Sequence, residues 1–98
     1  MWITPVQLAS FVAVIEHGTV TAAARHLRYS PSSVSTHMSA LERGIGSRLV
    51  RRVDGTYVPT EAGRYILRLS RQVLDGYGRL HDVRINGIPG DAVRAGTH

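Results

Sequence analysis

Paired start and stop signals cut the first 46 residues into three short helical segments, and this punctuation narrows what the chain can fold into more than any other feature. Thr4-Pro5-Val6-Gln7 supplies a hydroxyl cap, a proline suited to the first helical position and a glutamine that completes a capping box. Ile3 and Leu8 fit a hydrophobic staple across that start. Leu8, Phe11, Val12 and Ile15 then recur at helical spacing, so a helix is predicted over 5–17, with Gly18 as its left-handed stop. Thr19 or Thr21 can cap a second, short helix in which Val20, Ala23, Ala24 and Leu27 share a face, and its alanines allow another helix to come close. Arg28-Tyr29 makes a tight connection. Ser30-Pro31 starts a third helix with a hydroxyl cap and a residue whose missing N–H costs nothing there. Val34, Met38, Leu41 and Ile45 form its apolar face, and Gly44 and Gly46 close it.

The period then changes. Residues 49–58 alternate, with Leu49, Arg51 and Val53 on one side and Val50 and Arg52 on the other; Asp54-Gly55 offers a tight turn, and Thr56, Tyr57 and Val58 are β-prone. A small hairpin is predicted, with Pro59 ending the pairing. Thr60 can cap a last helix carrying Ile66, Leu69, Val73, Tyr77 and Leu80 at steps of three and four, the spacing of a helix–helix seam. Leu67 and Leu74 add a second apolar edge, more than so small a core covers, so a partner helix is expected on the seam while some of the surface folds back on the first helix. Gly76 and Gly78 weaken this helix near its end. The boundaries that follow are 1–59 for the compact domain, 60–84 for the long helix and 85–98, where Gly and Pro are frequent and no periodicity remains, for a flexible tail.

Ninety-eight residues suffice for one small core. With 43% hydrophobic and 19% charged residues the composition is that of a globular protein, and with no cysteine the fold holds by packing, without disulfides or thiolate metal sites. No apolar run approaches the roughly 20 residues of a membrane span, and the amino terminus does not resemble a secretory leader, so the expected location is the cytoplasm. The net charge of +5 is unevenly placed: residues 25–79 hold ten arginines against Glu42, Asp54, Glu61 and Asp75. Such a basic middle, built from Arg alone, suits phosphate and guanine, which Arg grips with two parallel hydrogen bonds. There is no His-Glu-x-x-His, no phosphate-cradling glycine loop and no cysteine nucleophile, and the five histidines are scattered without ligand spacing. No catalytic residue, metal site, cofactor or small-molecule site is expected.

Two helices joined by a turn, the second rich in short polar side chains, form the helix-turn-helix pattern. With the hairpin and long helix added, the order of elements resembles the amino-terminal domain of LysR-type transcriptional regulators. Leu8 to Val14, Gly18 to Ala24, Leu27, Ser30, Val34-Ser35, Leu41-Glu42, Gly46, Leu49, Arg52 and Thr60-Glu61-Ala62-Gly63 carry the resemblance, which spans roughly 3–82. It implies a mainly α fold, a winged helix-turn-helix with a three-helix core, a hairpin wing and a long linker helix. It also implies a sequence-specific regulator that binds operator DNA as a homodimer. Regulators of this family continue into a small-molecule effector domain, which these residues do not contain. Two positions depart from the family: Pro31-Ser32 stands where Gln then Pro is usual, and Thr36 where Arg is frequent, so its usual base contacts do not carry over.

At 100° per residue the side of the third helix opposite its apolar stripe carries Ser32, Thr36, Ser39 and Arg43, with Ser35 beside them. Ser30, Pro31 and Ser33 at its start complete the expected major-groove contacts, and His37, at the flank of the stripe, is read as a packing or hydrogen-bonding residue and a secondary contact. The same hydroxyls would equally suit a solvated helix that binds nothing. In a hairpin Arg51 and Arg52 point to opposite faces, and Arg52, on the family's wing arginine, is assigned to phosphate or the minor groove. Arg48 flanks the same strand; Arg25 and Arg28 near the turn are candidate backbone clamps. Ile66, Leu69, Val73, Tyr77 and Leu80 are assigned to dimerisation. The alternatives are a winged-helix protein-interaction module, acting as a dominant-negative partner of a longer regulator, and a winged helix of the molybdate-regulator kind. A protein-docking face would expose aromatic or aliphatic anchors on the third helix, which this one lacks.

Overall fold

In the computed structural model, which describes residues 2–91, the chain runs α1 (Pro5–His17), α2 (Val20–Leu27), α3 (Pro31–Ile45), β1 (Val50–Val53), β2 (Thr56–Pro59) and α4 (Glu61–Asn86). Each of α1 to α4 starts at a capping hydroxyl. Thr4 and Gln7 form the reciprocal capping box at 3.2 Å in both directions, Thr19 accepts from the Ala22 amide, Ser30 from Ser33 and Thr60 from Gly63. Satisfying the orphan amides of a first turn in this way contributes about 1 kcal/mol per helix. Gly18 and Gly46 end α1 and α3 in the left-handed region, whereas α2 is stopped there by Arg28, at φ 62°. Gly44 does not close α3: it lies inside the helix, which runs on through Ile45 to its cap at Gly46.

The core lies where α1, α2 and α3 meet. Phe11 and Val14 of α1, Ala23 and Ala24 of α2, and Val34 and Leu41 of α3 are fully or almost fully buried, joined by Leu49 from the segment leading into the hairpin. The two alanines put α2 close against both neighbours, as their small volume requires.

The hairpin pairs Val50 with Pro59, Arg51 with Val58, Arg52 with Tyr57 and Val53 with Thr56. Asp54 and Gly55 both take positive φ, 51° and 79°, the primed turn whose twist matches the strands. Pro59 is therefore still opposite Val50 at the end of the ladder, a position where its missing N–H is tolerated. The Tyr57 amide donates to the Gly18 carbonyl at 2.7 Å, which ties the second strand to the end of α1.

Only the first half of α4 is held by the core. Ala62, Ile66, Leu67 and Leu74 pack against it, Ser70 is buried with its hydroxyl on the Ile66 carbonyl, and Arg71 pairs with Glu16 of α1 at 3.3 Å. Twenty-six residues make a helix about 39 Å long, so its second half extends past the domain. It continues through Ile85 and Asn86 and so overlaps the start of the segment expected to be a tail, of which residues 92–98 lie outside the described part. No helix among the described residues is long and apolar enough to cross a membrane.

The joint between hairpin and α4 rests on Gly63. A Cβ there would stand 2.0 Å from the Leu49 carbonyl oxygen, and that carbonyl already accepts from the Thr60 amide at 3.0 Å. Gly63→Ala, favourable for an isolated helix, should therefore destabilise the domain by about 3 kcal/mol or more, measured by urea unfolding. A variant as stable as the parent would show that the two backbones do not approach so closely.

Candidate nucleic-acid interface

The outward side of α3 is built from short polar residues. Ser32, Ser35, Thr36, Ser39 and Arg43 are exposed, Ser33 and His37 are half-buried, and Val34, Met38 and Leu41 face the core, as the sequence spacing predicts. Before Arg43 in the last turn the exposed residues of this side are all short, so the helix backbone there can lie near another polar surface.

Several of its hydroxyls are occupied within the protein. Ser30 Oγ accepts from the Ser33 amide and lies 3.1 Å from Ser32 Oγ and 2.9 Å from Ser33 Oγ. Thr36 donates its hydroxyl proton to the Ser32 carbonyl at 2.9 Å, which turns its polar group back along the helix. Ser30 and Ser33 thus first serve to form the helix start, with Pro31 at its first position. Ser35 and Ser39 keep exposed hydroxyls.

His37 lies where the sequence puts it, at the flank of the buried stripe, and its Nδ1 is 2.8 Å from Ser10 Oγ of α1. Ser10 is completely buried, and the Tyr29 ring meets the imidazole edge to face, centroids 5.4 Å apart. Neither partner was legible in the sequence. Twenty-seven residues separate Ser10 from His37, and no local spacing links them.

Arginines stand on the hairpin, at the turn between α2 and α3 and in the last turn of α3, and others lie along α4. Arg51 and Arg52 are both exposed on β1; Arg52 lies over the Tyr57 ring at 5.1 Å and donates to the Gly55 carbonyl at 3.3 Å, so its head lies along the hairpin. Arg43 is exposed in the last turn of α3, and Arg25 and Arg28 are exposed where α2 turns towards α3. Arg48 is different: it pairs with Glu42 at 3.5 Å, and the same Glu42 oxygen accepts from the Leu49 amide at 2.7 Å. Glu42 therefore fixes the hairpin relative to the C-terminal half of α3, a role that its charge alone did not reveal.

Among the described residues there is no cluster of three or more potential metal ligands. The residues expected at a dimer seam divide: Ile66 packs on the core, whereas Leu69, Val73, Tyr77 and Leu80 are 38%, 49%, 47% and 67% exposed.

A polar helix presented outward behind a capped turn, with a basic hairpin held beside it, defines a winged helix-turn-helix domain. Similarity to known proteins then fixes the family. The pattern described as "Bacterial regulatory helix-turn-helix protein, lysR family" matches residues 5–64, and the chain belongs to that family. The SDS degradation transcriptional activation protein of Pseudomonas sp. (strain ATCC 19151) is 40% identical over 70 residues, covering 71% of this chain and 23% of the relative. The HTH-type transcriptional activator AaeR of Escherichia coli (strain K12) is 34% identical over 92 residues, covering 92% and 30%. The chain thus spans under a third of the length of these relatives. Among solved structures, the DNA complex of the CbnR DNA-binding domain superposes with a TM-score of 0.74 at 33% identity, covering 97% of this chain and 99% of that one. A Corynebacterium glutamicum OxyR mutant reaches a TM-score of 0.85 at 28% identity over 91% of this chain and 29% of its own.

Replacing Glu42 by Ala leaves the Leu49 amide without its acceptor and should cost about 1–3 kcal/mol, lowering the melting temperature by several degrees in a calorimetric scan. An unchanged transition would mean that the hairpin is held without this carboxylate.

Proposed function

We propose that this domain binds operator DNA, with α3 in the major groove and the hairpin against the adjacent phosphates or minor groove, as part of a transcriptional regulator acting as a homodimer. The observation that carries the reading is the exposed, short-chained polar side of α3 next to Arg51 and Arg52, on a fold whose relative, the CbnR domain, was solved on DNA. Ser32, Ser35, Thr36 and Ser39 allow close approach to base edges; the Thr36 methyl, its hydroxyl being engaged, suits contact with a thymine methyl. Arg43, Arg52 and Arg28 reach phosphates on either side, with Arg51 a further contact on the hairpin. The start of α3, at Ser30, Pro31 and Ser33, brings the positive end of the helix towards the backbone.

One small reading head meets a short half-site, and two heads related by a two-fold axis roughly double the contact energy. The surface for the second copy is the α4 edge of Leu69, Val73, Tyr77 and Leu80, with Ile66 at its core end. Leu67 and Leu74, on the neighbouring edge, are occupied by the domain itself, so the exposed edge is the part that needs covering.

Selection of bound sites from random duplex DNA tests the reading and should return a two-fold-symmetric pair of half-sites; recovery of no enriched sequence would refute it. In salt titrations Arg52→Ala should weaken binding to every duplex and reduce the slope of log K against log salt by about 0.9 for each phosphate the arginine neutralised, whereas an unchanged slope removes Arg52 from the phosphates. Leu69→Asp should give monomers in sedimentation equilibrium. A dimer that survives it would place the interface elsewhere.

A further inference from the structure

In the N-terminal half of α3 two hydroxyl protons are spent within the protein, that of Ser30 on Ser33 Oγ and that of Thr36 on the Ser32 carbonyl, and Ser32 Oγ lies 3.1 Å from Ser30 Oγ. His37 is the longest polar side chain there, and its orientation is fixed from behind. Its Nδ1 meets the Ser10 hydroxyl at 2.8 Å, and the Tyr29 ring stands at 77° to the imidazole plane.

The direction of the Ser10 bond follows from burial. Ser70 and Thr36 turn their hydroxyl protons onto the carbonyl one turn back, but Ser10, 0% exposed, has only His37 as partner among the described residues. Its one proton must go to Nδ1, because the reverse arrangement would leave a buried O–H without an acceptor, a cost that native interiors avoid. With Nδ1 accepting, the neutral ring carries its proton on Nε2. The two nitrogens flank Cε1 and their bonding directions in the ring plane diverge widely, so Nε2 is aimed elsewhere than at Ser10. It bonds to no described residue, and no buried side-chain nitrogen or oxygen among the described residues lacks a partner, so Nε2 is open to solvent.

The place of His37 on the helix indicates what it would meet. Thr36 and Arg43 occupy the middle of the outward side, which in a major groove faces the base edges, while a residue beside the buried stripe faces the groove wall, where the phosphates are. We propose that His37 donates its Nε2 proton to a DNA phosphate oxygen at the wall of the major groove, with Ser10 as the residue that positions it. The inference rests on the DNA-binding reading and adds to it a tautomer-locked neutral donor, linked through α1 to the core.

A neutral donor forms a hydrogen bond without displacing a counterion, so its signature differs from that of an arginine. Binding of the whole chain to a selected duplex and to an unrelated one is measured by fluorescence anisotropy at pH 8 over a range of salt concentrations. His37→Ala should weaken both complexes by the same factor, roughly five- to tenfold, and leave the salt slope unchanged. Ser10→Ala should lose a similar factor, and Ser10→Ala combined with His37→Ala should bind no worse than His37→Ala alone. His37→Asn keeps an acceptor for the Ser10 hydroxyl but lacks the reach of Nε2, so it should melt like the parent and bind like His37→Ala. A duplex with one neutral methylphosphonate linkage at the contacted phosphate should abolish the difference between parent and His37→Ala.

Parental affinity in His37→Ala, a loss confined to one duplex, a reduced salt slope or additive penalties in the double variant would each overturn the proposal. If the parent itself binds no duplex in a salt-dependent way, it is the DNA-binding reading that falls; if the parent binds and the His37 variants match it, only the role of His37 falls.

Discussion

Leu49 holds the parts of this molecule in register. Its side chain is fully buried in the core; its amide donates to Glu42 of α3, and its carbonyl accepts from Thr60 at the start of α4, against Gly63. Three elements thus meet at one residue whose side chain, N–H and C=O are all occupied. A reading helix and a wing engage one duplex together only if their separation is fixed, and here it is fixed by hydrogen bonds to both backbone groups of Leu49, one from the Glu42 carboxylate and one from the Thr60 amide, and by a buried side chain.

On α3 the hydroxyls divide into two kinds of work. The Ser30 hydroxyl satisfies the Ser33 amide and the Thr36 hydroxyl turns back to the Ser32 carbonyl, whereas Ser35 and Ser39 keep exposed hydroxyls for an outside partner. A Ser-rich face is therefore less polar towards a ligand than its composition suggests. The wing supplies strong charge beside it: Arg51 and Arg52 are exposed, and Arg52 is supported by the Tyr57 ring, itself packed on the core. Cation–aromatic stacking of this kind orders the guanidinium without neutralising it.

The long helix carries two adjacent apolar edges. Leu67 and Leu74 face the domain, and the adjoining edge of Leu69, Val73, Tyr77 and Leu80 does not. Because seam and core faces are adjacent on the helix, a copy docked on the first would lie close to the domain held by the second. The distance between two reading heads would then depend on a helix already formed in the single chain.

Local chemistry determined the elements. Thr4, Thr19, Ser30 and Thr60 mark the starts of α1 to α4, Gly18 and Gly46 two of their ends, and Asp54-Gly55 the turn, because capping and turn geometry involve residues within a few positions of each other. The face of α3 that carries the candidate contacts was legible for the same reason, since the helical period of about 3.6 separates inside from outside. Only the tertiary structure decided which hydroxyls were already bonded, that Glu42 anchors the hairpin, that Gly63 makes room for a carbonyl, and that Ser10 reaches across to His37. Each of these joins groups far apart in the chain or turns on the aim of a single proton, and no periodicity in sequence records either.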